Sequence, residues 1–241
     1  MKKKKLVPDA ITFDVFGTII NSPASWYSWF TSFFVKRGIT DLDPKKVGAR
    51  CGQIQFGYLG LDGGEFLDHY ELKKTAFRDL AKEMDWSIND DDLEDFSHLL
   101  DHCKAFPDSA DAIAELRKYT KVYALTNSTT PIVTSTFERE GIEVDGIMTS
   151  DDIRAYKPNH KVFRYSQEVL GLNQDHILHC AQGFLYDIVP ASSLGYDTVW
   201  VNRNAIQRPA DAKETYMVGD LKTLAILMEG FAATDEKNGF R

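Results

Sequence analysis

Short apolar runs alternate with polar residues along the chain, and they predict a series of buried strands. The first run begins at Ala10 and leads into Asp14, after which Gly17 and Thr18 interrupt the pattern. This stretch, residues 10–20, therefore predicts a buried strand that runs directly into a tight loop. Five further strands are predicted over residues 121–126, 146–148, 176–181, 197–201 and 216–218.

Between these strands the apolar residues recur at three- and four-residue spacing, which is typical of amphipathic helices. Helices are predicted over residues 111–119, 187–194 and 221–228, from Pro131 to about residue 140, and from Pro158 to about residue 170. Strands that alternate with helices favour a doubly wound parallel sheet, so we predict a Rossmann-like α/β fold.

One long region contains helical patterns and no convincing strand. It runs from Asn21 to about Ala105 and carries an aromatic stripe at Trp26, Trp29, Phe30, Phe33 and Phe34. Further helical segments cover residues 44–58, 65–84 (after Gly63-Gly64) and 90–100. We therefore predict a helical cap domain over residues 21–105, inserted into a core formed by residues 1–20 and 106–241. A cap rooted beside Asp14 could close over that residue and exclude water.

Composition excludes several function classes. The net charge is −8 and the pI about 5.3, which argues against nucleic acid as the main partner. No long apolar stretch follows the basic residues 2–5, so we expect neither a signal peptide nor a membrane anchor. The three cysteines are far apart and form no CxxC pair, which gives no support to a zinc or redox motif and favours the reducing cytoplasm.

Polar side chains stand where the predicted strands end. Since the carboxyl ends of parallel strands meet at one edge of a sheet, these side chains are expected to share one cleft. They are Asp14, Thr126, Asn127, Lys157, Gln182 and Asp187.

This set suits nucleophilic catalysis. A carboxylate such as Asp14 becomes an effective nucleophile in a dry pocket when one fixed cation keeps it ionised, and Lys157 can supply that charge. Thr126 and Asn127 offer hydrogen-bond donors to an anionic oxygen.

Each residue also has a purely structural interpretation. Asp14 and Asn127 are common turn formers, and Lys157 could be a surface lysine before a helix. Thr18 could cap its loop, and Asp187 could cap the helix that is predicted to begin there.

The motifs together resemble the haloacid dehalogenase superfamily. DVFGT at residues 14–18 is similar to the family's nucleophile loop, and LTN at residues 125–127 is similar to its second motif. YKP at residues 156–158 carries the motif lysine, and residues 181–196 are similar to the fourth motif region. The resemblance spans nearly the whole predicted core.

Two departures from the magnesium-dependent phosphatases of that superfamily stand out. In this chain Phe16 occupies the position of their general acid, and Ala181-Gln182 replaces their metal-binding Gly-Asp pair. A neutral amide is a poor ligand for Mg²⁺. The same two losses mark the (S)-2-haloacid dehalogenase branch, so the resemblance implies an enzyme without metal or other cofactor.

The resemblance also assigns residues to substrate and water. In the dehalogenase branch an Arg-x-x-Gln-x-x-aromatic motif of the cap contacts substrate, and Arg50, Gln53 and Phe56 match its spacing. Arg50 would grip a carboxylate or receive the halide, although an exposed helical arginine stays the structural alternative. By the same resemblance Asp187 would position the hydrolytic water, and Gln182 stands where relatives have a hydroxyl side chain. Apolar walls would come from Phe16, Phe184, Tyr186 and Trp26.

The resemblance thus implies hydrolytic dehalogenation of small (S)-2-haloacids through an ester on Asp14. The partner is a small-molecule 2-haloacid, and dimerisation is common among relatives although the sequence shows no interface signature. Two alternatives stay open: another hydrolase of this fold that acts on an ester or phosphate, and a catalytically silent member that binds a metabolite or partner.

Overall fold

A computed structural model describes residues 5–59 and 66–240 of the chain. Six strands form one parallel sheet in the order β3-β2-β1-β4-β5-β6. The doubly wound α/β fold predicted from the sequence is therefore confirmed. The strands are β1 (Ala10–Phe13), β2 (Lys121–Thr126), β3 (Gly146–Thr149), β4 (Ile177–Ala181), β5 (Asp197–Val201) and β6 (Tyr216–Val218).

Ten α-helices are found in the described residues. Four lie between β1 and β2 in the chain: α1 (Ser22–Arg37), α2 (Pro44–Leu59), α3 (His69–Glu83) and α4 (Asp90–Ser97). The others are α5 (Ser109–Leu116), α6 (Thr130–Glu140), α7 (Ser150–Ile153), α8 (His160–Leu170), α9 (Val189–Ser193) and α10 (Leu221–Lys237).

The helices differ from the sequence-based expectations mainly at their ends. Helix α3 begins at His69 because the Asp68 side chain accepts hydrogen bonds from the first free backbone N–H groups. The glycines at positions 63 and 64, and the predicted helix start at residue 65, lie outside the described residues. Helix α7 was not predicted, since four residues are too few to show a helical period.

A single helix beginning at Asp187 was also expected, and this expectation was wrong. Residues Phe184–Ile188 form one π-helical turn, which then continues into α9. Asp187 therefore lies inside the turn, and its carboxylate points away from the backbone amides that a cap would bind.

The first strand occupies the centre of the sheet. Strand β1 pairs with β2 on one side and β4 on the other, and all four of its residues are buried. The pairing continues one residue further, because the Asp14 N–H donates to the Cys180 carbonyl at 3.0 Å. Asp14 is thus fixed at the carboxyl edge, at the point where the strand order changes direction, which is where open α/β sheets bind ligands.

Helices α1–α4 pack around aromatic side chains. Trp29 contacts Phe77 and Phe96 at ring-centroid distances of 5.0 and 4.8 Å, both in edge-on geometry. The aromatic stripe of α1 is therefore mainly core, as its helical spacing indicated. Trp26 differs from the rest because one face of its ring borders the cavity described below.

The chain passes to and from these helices at one place. Ile20 and Ala105 form an isolated antiparallel bridge, and the Asn21 N–H donates to the Lys104 carbonyl at 2.8 Å. The two crossing segments lie side by side, directly after the loop that carries Asp14. The boundaries at residues 20/21 and 105/106 stay a prediction.

The structure also describes the three cysteines and the apolar character of the helices. Cys51, Cys103 and Cys180 are buried free thiols. Across residues 5–59 and 66–240 no helix combines the length and apolar character that crossing a membrane requires.

One ion pair ties the Asp14 loop to the segment that follows β5 and to the starts of two helices. The Arg203 guanidinium binds both carboxylate oxygens of Asp108, at 3.0 and 3.1 Å, and its Nε donates to the Thr18 carbonyl at 2.8 Å. Asp108 also accepts a hydrogen bond from the Leu221 N–H at 2.7 Å. This bidentate pair connects the starts of α5 and α10 to the loop that follows β1.

Replacing Asp108 by alanine should therefore destabilise the fold. The Arg203 side chain is only 9% exposed and would lose its counter-charge, so we expect a loss of about 2–3 kcal/mol in the free energy of unfolding. Urea denaturation measures it. The matched control is Asp111→Ala on the exposed side of α5, which should change stability by less than about 0.5 kcal/mol. Equal losses in both variants would contradict the role of the pair.

Candidate active site

Asp14 and Lys157 form a buried ion pair at the carboxyl edge of the sheet. The Lys157 ammonium lies 2.9 Å from Asp14 Oδ1, and the Thr18 hydroxyl donates to Asp14 Oδ2 at 2.7 Å. A carboxylate has about four lone-pair sites, so each oxygen keeps one free for a reacting atom. Asp14 also lines a cavity, and it is 9% exposed. The carboxylate is thus held in a fixed orientation while it remains accessible.

The Thr18 side chain links two strand ends. Its hydroxyl donates to Asp14 and accepts a hydrogen bond from the Gln182 N–H at 2.8 Å. The structural interpretation as a plain loop cap is therefore too narrow, because this hydroxyl aligns the nucleophile candidate with the end of β4. Gly17 permits the tight loop, since its φ of +101° is strained for any residue with a Cβ.

Asn127 positions Lys157 through the backbone. The Asn127 amide donates to the Lys157 carbonyl at 2.8 Å and accepts from the Lys157 N–H at 2.7 Å. The ammonium is held in addition by the Leu125 carbonyl at 2.9 Å. The Asn127 oxygen and one of its two amide N–H groups are therefore engaged. The second N–H is left for a ligand, and Asn127 lines the cavity described below, so its role as a donor to a substrate oxygen stays a prediction.

Asp187 completes the cluster from the other side of Lys157. Its Oδ1 lies 2.5 Å from the Lys157 ammonium and 3.0 Å from His179 Nε2. Within the described part of the chain no group donates to Asp187 Oδ2, so this oxygen can accept a hydrogen bond from a water molecule. Gly183 makes room for the carboxylate, since a Cβ there would come within 2.5 Å of Asp187 Oδ2.

His179 is a site residue that the sequence analysis missed. It is fully buried in β4, and its Nδ1 lies 2.9 Å from the Thr12 hydroxyl while Nε2 faces Asp187. Thr12 and His179 are direct partners in the β1–β4 register. Two polar residues at matching positions of otherwise apolar strands were a signal that could have revealed this contact.

The three charges of the cluster shift one another's pKa. Burial raises the pKa of Asp14, and the opposing Lys157 charge does not cancel this effect. Burial would also raise the pKa of Asp187, but the Lys157 charge and the His179 hydrogen bond outweigh it and lower that pKa. Burial would lower the pKa of Lys157, but the two carboxylates outweigh it and raise that pKa. Lys157 therefore stays cationic, and Asp14 is the first of the two carboxylates to protonate as the pH falls.

A cavity of about 200 Å³ lies between the sheet edge and helices α1–α3. This volume suits a small molecule. The structure brings together in its lining most of the residues predicted from the sequence: Asp14, Phe16, Phe56, Thr126, Asn127, Lys157, Gln182, Tyr186 and Asp187, with Trp26 beside them. Phe56 and Tyr186 meet edge-on at 4.6 Å and close the cavity on one side.

Three predicted residues lie elsewhere. Arg50 forms a bidentate ion pair with Glu83 and donates to Gln53, on the exposed side of α2, so neither Arg50 nor Gln53 reaches the cavity. Phe184 packs against Trp200 at 4.9 Å and is not a wall of the cavity. The helical period explains the first difference: the cavity lies on the α2 face that presents Gly52, Gln55 and Phe56.

The donor set of this site does not suit a divalent cation. Asp14 and Asp187 both direct an oxygen at the Lys157 ammonium, and the neighbouring Gln182 offers only an amide. In the portion of the chain described, no three His, Cys, Asp or Glu side chains are grouped as metal ligands.

Comparison with known proteins agrees with this arrangement. The family model of haloacid dehalogenase-like hydrolases matches residues 8–180. The chain belongs to this hydrolase family. The matched residues include β1, all of α1–α4 and Lys157.

Individual relatives of this haloacid dehalogenase-like hydrolase are similar over nearly their whole length. The (S)-2-haloacid dehalogenase of Pseudomonas putida is 22% identical over 226 residues, which cover 89% of this chain and 94% of the relative. The (S)-2-haloacid dehalogenase of Pseudomonas sp. strain YL is 23% identical over 237 residues, which cover 94% of this chain and 97% of the relative. The L-2-haloacid dehalogenase of Xanthobacter autotrophicus, solved with chloropropionic acid covalently bound, superposes with a TM-score of 0.77 at 17% identity, over 92% of this chain and 99% of that one. This structural likeness shows a shared fold.

Removing the central charge should destabilise the protein in a pH-dependent way. Lys157→Met leaves two buried carboxylates without a counter-charge, so we expect a loss of about 3–5 kcal/mol near pH 7.5. Without the ammonium, the native-state pKa of both carboxylates rises above the unfolded-state value. Protonation on acidification then favours the native state, and part of the loss should be recovered near about pH 5.5. Urea denaturation at both pH values measures this.

Lys161→Met is the control for the lysine, because Lys161 lies on the exposed side of α8. Its stability should follow that of the parent at both pH values. An equal loss at both pH values in Lys157→Met would contradict the assignment of two ionised carboxylates to this cluster.

Proposed function

We propose that this protein hydrolyses small (S)-2-haloacids to 2-hydroxy acids, through an ester on Asp14 and without a metal ion. The observation that carries the proposal is the contact between the accessible Asp14 carboxylate and the buried Lys157 ammonium, beside Phe16 in place of a general acid. The relatives whose names are (S)-2-haloacid dehalogenase support the choice of substrate.

In the first step Asp14 attacks the carbon that bears the halogen. One carboxylate oxygen forms the new C–O bond while the C–halogen bond breaks on the opposite side, and the halide leaves with the bonding electrons. Lys157 and Thr18 hold the carboxylate in the orientation for this attack. The carbon inverts once, so an (S)-haloacid gives an (R)-hydroxy acid.

The absence of an acid at Phe16 is consistent with this step. A halide ion leaves without a proton, so no general acid is needed beside the nucleophile. Phosphoester leaving groups usually require that proton. The apolar side chain also keeps the carboxylate poorly hydrated, which raises its reactivity.

In the second step water hydrolyses the ester. Asp187 Oδ2 accepts a hydrogen bond from the water and then its proton, while the water oxygen adds to the Asp14 carbonyl carbon. The Lys157 ammonium stabilises the oxyanion that forms. When the C–O bond to the Asp14 carbonyl carbon breaks, the departing alkoxide takes the proton from Asp187. The second proton of the water is left on the Asp14 carboxyl and is released to solvent, which restores the carboxylate for the next turnover. His179 keeps Asp187 in position for both transfers.

The remaining parts of the proposal concern the surroundings of the site. Residues 21–105 act as the cap that covers the cavity, supported by their helices and by the edge-on contact of Phe56 with Tyr186. The net charge of −8 supports a small-molecule substrate over nucleic acid, and three buried thiols support the cytoplasm. A homodimeric state stays a prediction.

Replacing the nucleophile tests the first step. Asp14→Asn should lower chloride release from (S)-2-chloropropionate by at least about a thousandfold, because the amide cannot form the ester. A halide-specific electrode or colorimetric assay measures the release. The variant should unfold at a concentration of urea no lower than that of the parent, since it removes a charge that burial disfavours.

The same assay tests the other hydrolase functions. EDTA should leave chloride release by the parent protein unchanged, and p-nitrophenyl phosphate with Mg²⁺ should give no colour. A strict requirement for Mg²⁺, or phosphate release in place of chloride release, would identify a phosphatase. No turnover of any haloacid, ester or phosphate would identify a silent binding protein.

Heavy-oxygen labelling tests the ester. In a single turnover in H₂¹⁸O, water attacks the Asp14 carbonyl, so one heavy oxygen should enter Asp14 and none the hydroxy acid. Mass spectrometry of the peptide that contains Asp14 and of the product measures both. Under multiple turnovers the label should then appear in the product, which is the internal control. Label in the product of the first turnover would mean that water attacks the substrate carbon directly.

A further inference from the structure

A second lysine faces the cavity from the helical side. Lys73 of α3 lines the same cavity as Asp14, and the whole residue is 1% exposed. The ring centroid of Trp26 lies 5.0 Å from its ammonium. Nothing in the sequence distinguishes this residue, because a lysine in a charged helix is usually solvated.

Lys73 has no ion-pair partner among residues 5–59 and 66–240. The titratable groups that raise the pKa of Lys73 are the buried thiols of Cys51 and Cys103 and, more weakly, Asp101. The Asp101 carboxylate is itself hydrogen-bonded to His98 at 2.6 Å. Two other lysines do have carboxylate partners. Lys157, in the same cavity, contacts two carboxylates, and the adjacent Lys74 forms ion pairs with Glu94 and Glu71 on the surface.

A buried cation without a counter-charge is unfavourable in the free protein. Burial lowers the pKa of Lys73 to about 8, so the side chain is still mostly protonated at neutral pH. Buried charges persist in proteins mainly when they are paired, so the free protein lacks one anion at this place. A ligand that brings a negative charge into the cavity would supply it.

Two other polar atoms on this side also lack partners. His69 Nε2 and Gln55 Oε1 are buried and accept no hydrogen bond within the described ranges. His69 is 2% exposed, and burial holds its pKa well below the ordinary value, so its imidazole is neutral. Both residues line the same cavity as Lys73. This wall is therefore built for polar contents, such as a ligand with its water, and it is not an apolar lid.

The charges of the cavity sum to zero only when Lys73 is counted. Asp14 and Asp187 contribute two negative charges, and Lys157 contributes one positive charge. Without Lys73 an anionic substrate would enter a cavity that is already negative. With Lys73 the cavity is neutral before the substrate enters, and the added cation lies on the wall formed by α3.

We propose that Lys73 binds the carboxylate of the substrate, one of the two roles that the family resemblance gives to Arg50. This inference rests on the proposed haloacid hydrolysis. The carboxylate is charged throughout the reaction, whereas the halogen gains its charge only as it leaves, so a permanently buried cation matches the carboxylate. Arg50 is already neutralised by Glu83 on the exposed side of α2.

Removing the charge of Lys73 tests the proposal. In Lys73→Met the KM for (S)-2-chloropropionate should rise about 10- to 100-fold, because one charge-assisted contact is lost, while kcat should change less than about threefold. The parent should strongly prefer 2-chloropropionate to its neutral amide, and the variant should lose most of that preference. Steady-state chloride release by both proteins, with each of the two substrates, measures KM and kcat.

Two variants serve as controls. Lys74→Met makes the same chemical change one position away on α3, and Arg50→Met removes the cation that the motif predicts. Both should keep the KM of the parent within about twofold. Without ligand, Lys73→Met should unfold at a temperature equal to or above that of the parent, since it removes an unpaired buried charge.

Binding without turnover separates this inference from the proposed function. Calorimetry with Asp14→Asn protein should detect (R)-lactate binding that is weakened at least about tenfold by adding Lys73→Met. If the parent releases no halide but this Lys73-dependent binding is found, the anion site stands and the haloacid activity fails. If halide is released but KM and lactate affinity do not depend on Lys73, the inference is overturned and the activity stands.

Two further results would also overturn the inference. A fall in kcat at unchanged KM, stronger for chloride than for bromide as the leaving group, would place the halide at Lys73. A KM increase of equal size in Lys74→Met would show a general effect of α3 on the cavity.

Discussion

The Lys157 ammonium lies between two buried carboxylates, 2.9 Å from Asp14 Oδ1 and 2.5 Å from Asp187 Oδ1. One cation therefore serves two anions that would otherwise repel each other in a poorly solvated space. The Leu125 carbonyl and the Asn127 amide fix its position through β2, and Thr18 and His179 hold the outer sides of the two carboxylates. The strand order brings these residues together, because β2, β1 and β4 are neighbours in the sheet.

The electrostatic balance of this cluster also separates the roles of the two carboxylates. They share one lysine, yet the pKa of Asp14 is raised and that of Asp187 is lowered. The difference arises because the His179 hydrogen bond helps to lower the pKa of Asp187, whereas burial and the nearby Asp187 charge raise the pKa of Asp14. The more weakly stabilised carboxylate is the better nucleophile, and the more strongly stabilised one stays ionised beside it. Two residues of the same type thus differ in reactivity through their surroundings alone.

The sequence predicts the core of this site well and the helical side poorly, and the reason is geometric. The carboxyl ends of parallel strands meet at one edge of the sheet, so the residues that follow them, Asp14, Lys157 and Asp187, could be grouped from the order of the elements. A helix offers a full turn of directions, and a shift of two or three residues moves a side chain to another face. Of the three residues that motif spacing selected, Phe56 lines the cavity, but Arg50 and Gln53 do not. Gln55 and, from α3, Lys73 line it instead. The unpaired state of Lys73 is a property of its tertiary neighbours and has no signature in the sequence.

The paired crossing at Ile20 and Ala105 has an evolutionary consequence. All the helices that form the outer wall of the cavity leave and rejoin the sheet through adjacent segments, so their rearrangement need not disturb the pairing of β1, β2 and β4. The bond-making residues lie at the carboxyl edge of the sheet, and Lys73, His69 and Gln55 lie on the helices. Selection can thus diversify the compounds that such a scaffold accepts by altering one contiguous genetic segment, while the reactive machinery is inherited unchanged.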